Sequence, residues 1–183
     1  MNCEVYLKRK DDKVFKSYIK YITFSEIDKL LEFQDNIVET MKDKVMYTLT
    51  TKEEFEYYFN NKGIIIGCYI EERNLIAYGV CIKYDNHSYN NGYYIDVDKN
   101  DLKYIAQIDS VAVSEKFRGN KLQILICNIL EDICSKSDTK LITVTVDPNN
   151  LHSLNSFKRL NYKVVKEVNM YNGVDRLILK KEI

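Results

Sequence analysis

Apolar residues recur along this chain at two spacings, and these spacings predict its helices and strands. A spacing of three or four residues is typical of one helix face, and runs of β-branched and aromatic residues are typical of strands. Helices are predicted at Ser25–Ile37, Thr51–Phe59, Leu122–Ser135 and Leu151–Leu160. Strands are predicted at Glu4–Lys8, Gly63–Glu71, Leu75–Lys83, Lys103–Val113, Lys140–Val146, Tyr162–Val168 and Arg176–Lys180. The resulting order, β-α-α-β-β-β-α-β-α-β-β, is that of an α/β protein whose last two strands are antiparallel.

The segment Asp85–Asp101 interrupts this pattern with residues rich in Asn, Tyr and Asp. Such a composition predicts a long loop or a hairpin arm. A solvated arm without a ligand is the simpler interpretation. The alternative is a flap over a substrate, because its aspartates would favour a polyamine, an aminoglycoside or a lysine-bearing peptide.

The residues Val111–Gln123 combine a strand, a short turn with Arg118 and Gly119, and the start of a helix. The first backbone N–H groups of a helix have no intrahelical partner and carry partial positive charge. Glycine lets the backbone approach a ligand closely. The arrangement therefore suits phosphate binding, although one glycine in a turn is common and a purely structural turn is the alternative.

A second element lies downstream, and together the two resemble the GNAT family of acetyl-CoA-dependent N-acetyltransferases. The central family motif is a strand followed by Arg/Gln-x-x-Gly-x-Gly/Ala at a helix start, which Ile108–Val113 and Arg118–Gln123 resemble. The next family block is Asn-x-x-Ser/Ala-x-x-x-aromatic-x-x-x-Gly-Phe/Tyr. Its positions are occupied here by Asn150, Ser153, Phe157, Asn161 and Tyr162. The resemblance, strongest over residues 64–183, implies one GNAT domain over residues 1–183 with a mixed, mostly antiparallel sheet flanked by helices.

The resemblance also implies which residues contact acetyl-CoA, the co-substrate. Backbone groups of Val111, Ala112 and Val113 would pair with the pantetheine in a gap before the strand Lys140–Val146. The pyrophosphate would be held by the backbone amides of Arg118, Gly119, Asn120, Lys121, Leu122 and Gln123. The residues near the pantetheine or the acetyl end would be Asn150, Ser153 and Phe157. Asn150 is also a preferred helix N-cap, which alone could explain it.

Acyl transfer to an amine needs aligned reactants, removal of a proton from the ammonium, and a donor for the departing thiolate. The resemblance implies that Asp109, with Ser110 beside it, is the base or the anchor of the amine. A carboxylate bound by neighbouring strand amides is the structural alternative. Family members that use a tyrosine as the acid often carry it where this chain has Phe157, and phenylalanine has no hydroxyl. Tyr162 and Tyr171 are candidates to replace it.

Three positions depart from the family pattern: Lys121 and Asn161 stand where glycine is usual, and Gln123 where Gly or Ala is usual. If Lys121 must adopt a positive φ, we expect a cost of about 1–2 kcal/mol. If it belongs to the first helical turn, its ammonium can pair with a phosphate at no such cost. The departures favour an alternative function, a non-catalytic GNAT-like module that binds CoA, or nothing, and acts as a sensor or scaffold.

Composition narrows the possibilities further. The 183 residues are 45% hydrophobic and have zero formal net charge, which argues against a nucleic-acid partner. Apolar runs such as Ile64–Ile70 are too short to span a bilayer, and Met1–Val5 lacks the pattern of a signal segment. The five cysteines form no Cys-x-x-Cys pair, which predicts reduced thiols in a cytoplasm and no metal site.

These observations predict a cytoplasmic N-acetyltransferase that uses acetyl-CoA and no metal. The high Lys, Asn and Ile usage suggests a bacterial source. The acceptor would be a primary amine of a small molecule or a peptide, attacked directly in a ternary complex. A protein N-terminal or lysine acetyltransferase is the alternative within the class, since one fold serves many acceptors. A homodimer through the C-terminal strands is compatible with this fold, and no nucleic-acid or membrane partner is expected.

Overall fold

A computed structural model describes residues 2–40, 48–71, 73–170 and 173–183 of the chain. The strands are β1 Asn2–Lys8, β2 Val14–Tyr21, β3 Ile64–Ile70, β4 Asn74–Ile82, β5 Ile105–Val113, β6 Leu141–Val146, β7 Lys163–Met170 and β8 Val174–Glu182. The helices are α1 Ile27–Thr40, α2 Lys52–Asn60, α3 Leu122–Ser135 and α4 Leu151–Arg159. The elements follow the predicted order with one additional strand, β2.

The eight strands form one mixed sheet in the order β1-β2-β3-β4-β5-β6-β8-β7. The pairs β1–β2, β2–β3, β6–β8 and β7–β8 are antiparallel, whereas β5 and β6 are parallel. The mixed, mostly antiparallel α/β fold predicted for the chain is therefore confirmed. The antiparallel pairing of the last two strands is confirmed as well.

Strand β2 is the element that the apolar pattern did not predict. Its residues alternate between the interior and solvent, but the inward position between Phe15 and Ile19 is Ser17, which is fully buried. A serine there breaks the run of apolar residues by which a strand is recognised. The strand is nevertheless paired along its length with β1.

The backbone contacts of the chain fall into two compact units. The first comprises Met1–Val80 and Ser110–Ile126, and the second Cys81–Asp109 and Cys127–Ile183. In the first unit, the ring of Tyr78 packs edge-on against Phe33 of α1 and Phe55 of α2, with ring centroids 5.9 and 6.1 Å away. These contacts place the apolar faces of both helices against β4.

The second unit is built around the buried faces of β5, β6 and β8, with Ile108, Ile142 and Ile178 almost inaccessible to solvent. A buried ion pair joins the end of β6 to β8, since Arg176 Nη1 lies 2.7 Å from Asp147 Oδ2. A buried pair of opposite charges with this geometry is costly to break, because removing one partner leaves the other uncompensated.

Capping residues start two helical segments, one at its predicted beginning and one before it. Thr51 caps α2, where its side chain accepts from the N–H of Glu54 and the Glu54 carboxylate accepts from the N–H of Thr51. This reciprocal arrangement is a capping box. The first helical segment begins earlier than Ser25: Thr23 and Glu26 form the capping box of a 3-10 turn that leads into α1.

The segment Asp85–Asp101 is not a solvated arm throughout, as the simpler interpretation had it. Its centre, Asn90 and Asn91, is buried. The Asn90 side chain accepts from the N–H of Gly92 and donates to the carbonyls of Asp85 and Leu102. One asparagine thus closes the polar loop on itself, because its amide satisfies backbone groups that water would otherwise have to reach.

Candidate active site

The turn between β5 and α3 is held in place by its flanking residues. Phe117 is buried and packs against the ring of Phe15, with centroids 5.8 Å apart. The Asn120 side chain accepts from the N–H of Lys8 at 2.9 Å and donates to the Lys8 carbonyl at 2.6 Å, as a neighbouring strand would. The turn is therefore fixed to the edge of β1 rather than left to move as a loop.

Two residues of this turn adopt positive φ angles. Gly119 has φ 94°, and a Cβ built there would meet no atom within 4 Å. Lys121 has φ 58°, in the left-handed region that favours glycine, and α3 begins only at Leu122. Of the two alternatives for Lys121, the strained one applies, since the residue precedes the helix instead of forming its first turn.

The turn exposes unpaired donors and cations. The backbone N–H groups of Gly119, Asn120, Lys121 and Leu122 donate no hydrogen bond within the described ranges. The side chains of Arg118 and Lys121 are exposed, and neither forms an ion pair with any described residue. Four consecutive amides and two cations at a helix start form an arrangement that can bind an anion such as a pyrophosphate.

Strand β5 leads into this turn and leaves its partner β6 before it ends. The parallel register runs from Ile105 opposite Leu141 to Ile108 opposite Val144, whereas β5 continues to Val113. Ala112 is buried and Val111 and Val113 are half-buried. The predicted contact of Val111 and Val113 with pantetheine needs backbone groups at an unpaired strand edge, and the end of the β5–β6 pairing at Ile108 fits that need.

Asp109 lies in the second unit within a network of polar side chains. Its Oδ1 accepts from the Tyr84 hydroxyl at 3.2 Å and from Gln107 Nε2 at 2.9 Å. Gln107 Oε1 in turn accepts from the N–H of Asn91 at 3.1 Å, and Asn91 Nδ2 donates to Thr143 at 3.4 Å. Two side chains, Tyr84 and Gln107, therefore hold Asp109 within this network.

Ser110 belongs to the first unit and to a different network. Its Oγ lies 3.0 Å from the hydroxyl of Tyr78, which donates to Gln34 Oε1 at 3.0 Å. Because the single Tyr78 proton goes to Gln34, Ser110 is the donor to Tyr78. Gln34 is fixed in turn by Thr50, whose N–H and carbonyl bind the two ends of its amide.

The second motif block starts α4. Asn150 caps the helix, with its Oδ1 accepting from the N–H of Ser153 at 3.1 Å. Asn150 Nδ2 donates to no described residue, so the cap leaves donors available, as capping with the oxygen predicts. Phe157 and Tyr162 are buried and pack edge-to-face with ring centroids 5.2 Å apart. Asn161 has φ 67° and therefore takes the conformation that the family glycine would have.

The hydroxyl of Tyr162 is buried and has no hydrogen-bond partner in the described part of the chain. Burial, together with the nearby Glu131 carboxyl and Cys127 thiol, raises the pKa of Tyr162 above its ordinary value. These surroundings favour a packing role over proton donation. The other candidate acid, Tyr171, lies outside the described residues.

Sequence reasoning did not select two residues that bind Asp109, namely Gln107 and Tyr84. Gln107 stands two positions before Asp109 on β5, and side chains two apart on a strand share a face. That spacing was the available signal. Tyr84 follows β4 by two residues, and no local pattern connects it to a carboxylate 25 positions away.

Two classes of site are not found in the described ranges. No group of three or more His, Cys, Asp or Glu side chains among these residues is arranged to hold a metal ion. No helix in the described part of the chain is both long and apolar enough to cross a membrane.

Known structures share the fold at low sequence identity. An N-acetyltransferase from Staphylococcus aureus Mu50 has 14% identity and a TM-score of 0.69, over 91% of this chain and 98% of that one. A ribosomal-protein-alanine N-acetyltransferase from Brucella melitensis has 14% identity and a TM-score of 0.66, over 90% and 99%. A phosphinothricin acetyltransferase from Sinorhizobium meliloti in complex with acetyl-CoA has 12% identity and a TM-score of 0.68, over 91% and 88%.

No curated protein matches the chain by sequence. The family model described as the acetyltransferase (GNAT) family, however, matches residues 32–162, which is well over half of the 183 residues. That range contains the turn before α3, Asp109 and all five positions of the second block. The chain therefore belongs to the GNAT family of acetyltransferases.

Proposed function

We propose that the protein transfers an acetyl group from acetyl-CoA to a primary amine of a small molecule or a peptide, by direct attack in a ternary complex. The observation that carries the proposal is that, within the described ranges, the amides of Gly119–Leu122 donate no hydrogen bond and the adjacent cations of Arg118 and Lys121 form no ion pair. A polyanionic ligand satisfies such donors without displacing any internal bond. The Sinorhizobium structure with acetyl-CoA adds a reason to expect that ligand in this fold.

Each part of the co-substrate has candidate residues. The pyrophosphate would bind the amides of Gly119–Gln123 and not that of Arg118, whose N–H already donates to the Glu115 carbonyl at 3.3 Å. The pantetheine would pair with backbone groups of Val111 and Val113, which flank Ala112. Asn150 keeps its amide donors available for the same ligand, with Ser153 and Phe157 next to it on α4. Bound this way, acetyl-CoA supplies an activated thioester, and the protein supplies alignment, which can account for a large part of the rate.

Asp109 is the candidate that meets the amine. Two neutral donors, Tyr84 and Gln107, hold its carboxylate in one orientation. A carboxylate held as a hydrogen-bond acceptor attracts the ammonium form of the acceptor and can take its proton directly or through water. Ser110 follows Asp109 directly on β5 and adds a second polar side chain, whose hydroxyl donates to Tyr78.

A non-catalytic CoA-binding module is the second candidate function. Lys121 favours it, because a left-handed lysine stands where the family uses glycine. The buried Tyr162 and the phenylalanine at position 157 favour it too, since neither is an available acid. The relatives include enzymes named for a small molecule and for a protein, so the fold does not choose between acceptors.

Calorimetric titration with acetyl-CoA and with CoA, followed by an assay of CoA release with an amine panel, separates these functions. We expect micromolar binding of acetyl-CoA and amine-dependent release of CoA. Binding without release across the panel would support the sensor or scaffold. No binding of either compound would overturn both functions.

A further inference from the structure

Three aromatic rings form a cluster at the start of the segment that follows β4. The centroids of Tyr84 and His87 are 5.8 Å apart in a stacked arrangement with an interplanar angle of 30°. Tyr89 meets both rings edge-on, 6.0 Å from Tyr84 and 4.8 Å from His87. We call Tyr84, His87 and Tyr89 the ring cluster.

The ring cluster extends from a half-buried carboxylate, Asp109, to solvent. Tyr84 is only 6% exposed and its hydroxyl donates to Asp109 Oδ1. Tyr89 is 58% exposed, and His87 is exposed beside it. Large aromatic side chains normally bury most of their surface. An exposed ring that packs on a residue bound to a carboxylate therefore indicates a ligand-binding site more strongly than an isolated exposed ring does.

The chemistry of the ring cluster suits a cation. Aromatic faces attract positive charge within about 6 Å of the ring centroid. His87 Nδ1 accepts from the N–H of Tyr89 at 3.3 Å, which holds the imidazole beside the Tyr89 ring. His87 thus adds a third ring to the cluster.

The charges nearby have the matching sign. The segment Asp85–Asp101 contains four aspartates and a single lysine, Lys99. Two cations next to this segment are already engaged: Lys83 is paired with Asp138, and Lys166 lies 3.8 Å from Asp96 Oδ2. The surroundings of the ring cluster therefore favour a positively charged ligand over a phosphate or a carboxylate.

We propose that the ring cluster binds a second positive charge of the acceptor, so that the preferred acceptors are alkyl diamines and polyamines. One nitrogen would lie at Asp109 and react, and another ammonium of the same molecule would lie against the exposed faces of Tyr89 and His87. The proposal rests on the proposed function for the role of Asp109. It adds the class of acceptor and the residues that select it.

Matched acceptors and matched variants test this selection. 1,4-Diaminobutane and butylamine have the same carbon chain and differ by one ammonium group. We expect the wild-type protein to prefer the diamine in kcat/KM by about tenfold. Tyr89→Leu, which removes the ring and keeps an apolar side chain, should reduce that preference about three- to fivefold. Tyr89→Phe, which keeps the ring, should stay within about twofold of the wild type.

The same amines titrated by calorimetry without acetyl-CoA separate failure of this proposal from failure of the proposed function. Tighter binding of the diamine that is lost in Tyr89→Leu supports the ring cluster even if no acetyl group is transferred. Equal binding and equal kcat/KM of the two amines overturn the proposal. An equal loss for both amines in Tyr89→Leu, with unchanged circular dichroism, also overturns it, because the ring would then serve packing and not charge.

Discussion

The two family motifs start helices in opposite ways. The turn before α3 leaves the amides of Gly119–Leu122 without acceptors in the described ranges and exposes two cations. The turn before α4 satisfies the N–H of Ser153 with the cap Asn150, and its following aromatic residues, Phe157 and Tyr162, are buried against each other. The first motif is open to an anion, whereas the second buries its aromatic side chains in the fold.

The difference predicts separate roles for the two motifs in this chain. Donors without partners at a solvent-exposed helix start cost little in the free protein, because water reaches them, and they become bonds when a ligand binds. Buried aromatic residues cannot gain such bonds to a ligand, because their surface is already packed against other residues. The comparison predicts that changes in the first turn alter ligand affinity and changes in the second block alter stability.

The largest effect should come from a negative charge in the turn before α3. Gly119→Asp places a carboxylate beside amides that would hold a pyrophosphate, and we expect acetyl-CoA to bind about 30-fold more weakly, about 2 kcal/mol. Gly173→Asp is the matched control, since Gly173 also has positive φ and open space around its Cβ. Calorimetry should show near wild-type affinity for the control. Equal losses in both variants would mean that strain, and not charge at the turn, lowers affinity.

The next largest effect should come from removing the side chain that fixes the turn before α3. Asn120→Ala removes three side-chain hydrogen bonds, two to Lys8 and one to the carbonyl of Phe117. We expect the free energy of unfolding to fall by about 1–2 kcal/mol in urea denaturation. Asn74→Ala, which loses one exposed bond to Glu71 at 3.3 Å, should change it by less than about 0.5 kcal/mol. A smaller loss for Asn120→Ala than for the control would contradict the anchoring of the turn.

The left-handed residues give a smaller, graded effect. Lys121→Gly should raise the free energy of unfolding by about 1 kcal/mol, because glycine adopts positive φ without the clash of a Cβ. Asn161→Gly should gain less, since asparagine tolerates this region better. Lys121→Gly should also weaken acetyl-CoA binding severalfold through the lost ammonium.

The control for Lys121→Gly is Lys62→Gly. Lys62 lies just after α2 and has a positive φ of 60°, so this change relieves the same kind of backbone strain at another place in the chain. It should gain similar stability and leave acetyl-CoA affinity unchanged. An affinity loss in Lys62→Gly would show that lysine charge acts on the ligand from anywhere on the surface, and that Lys121 has no special place.

The smallest effect should come from a change in the second motif, which starts α4. Tyr162→Phe removes a buried hydroxyl that has no partner among the described residues, so we expect a gain of up to about 0.5 kcal/mol in urea denaturation. The kcat with a reactive amine should stay within about twofold. A drop of tenfold or more in kcat with intact acetyl-CoA binding would instead identify Tyr162 as the acid.

Much of this architecture follows from local sequence. Helix α3 has the predicted bounds, α2 begins directly after Thr51, Asn150 caps α4 as expected, and the predicted order of elements lacks only β2. The start of α3 at Leu122 was predicted, but the positive φ of Lys121 was one of two alternatives, because local sequence does not fix which residue precedes the first helical turn.

Long-range contacts could not be predicted. Asn91 binds Gln107 and Thr143, which lie 16 and 52 positions away, and this buries a segment whose composition is typical of solvated loops. The orientation of Asp109 depends on the same contacts through Gln107. A periodic pattern reports the neighbours along one element and carries no information on a polar side chain from a distant one.

The most direct measurement is the ¹⁵N–¹H NMR spectrum of the protein titrated with acetyl-CoA, with the amides of residues 119–122 assigned. These amides have no internal acceptor in the described ranges, so new hydrogen bonds to a pyrophosphate should shift their proton resonances downfield and slow their exchange with solvent. We predict that they show the largest changes in the spectrum. Saturating acetyl-CoA that leaves these four resonances and their exchange rates unchanged would contradict the assignment of this turn as the co-substrate site.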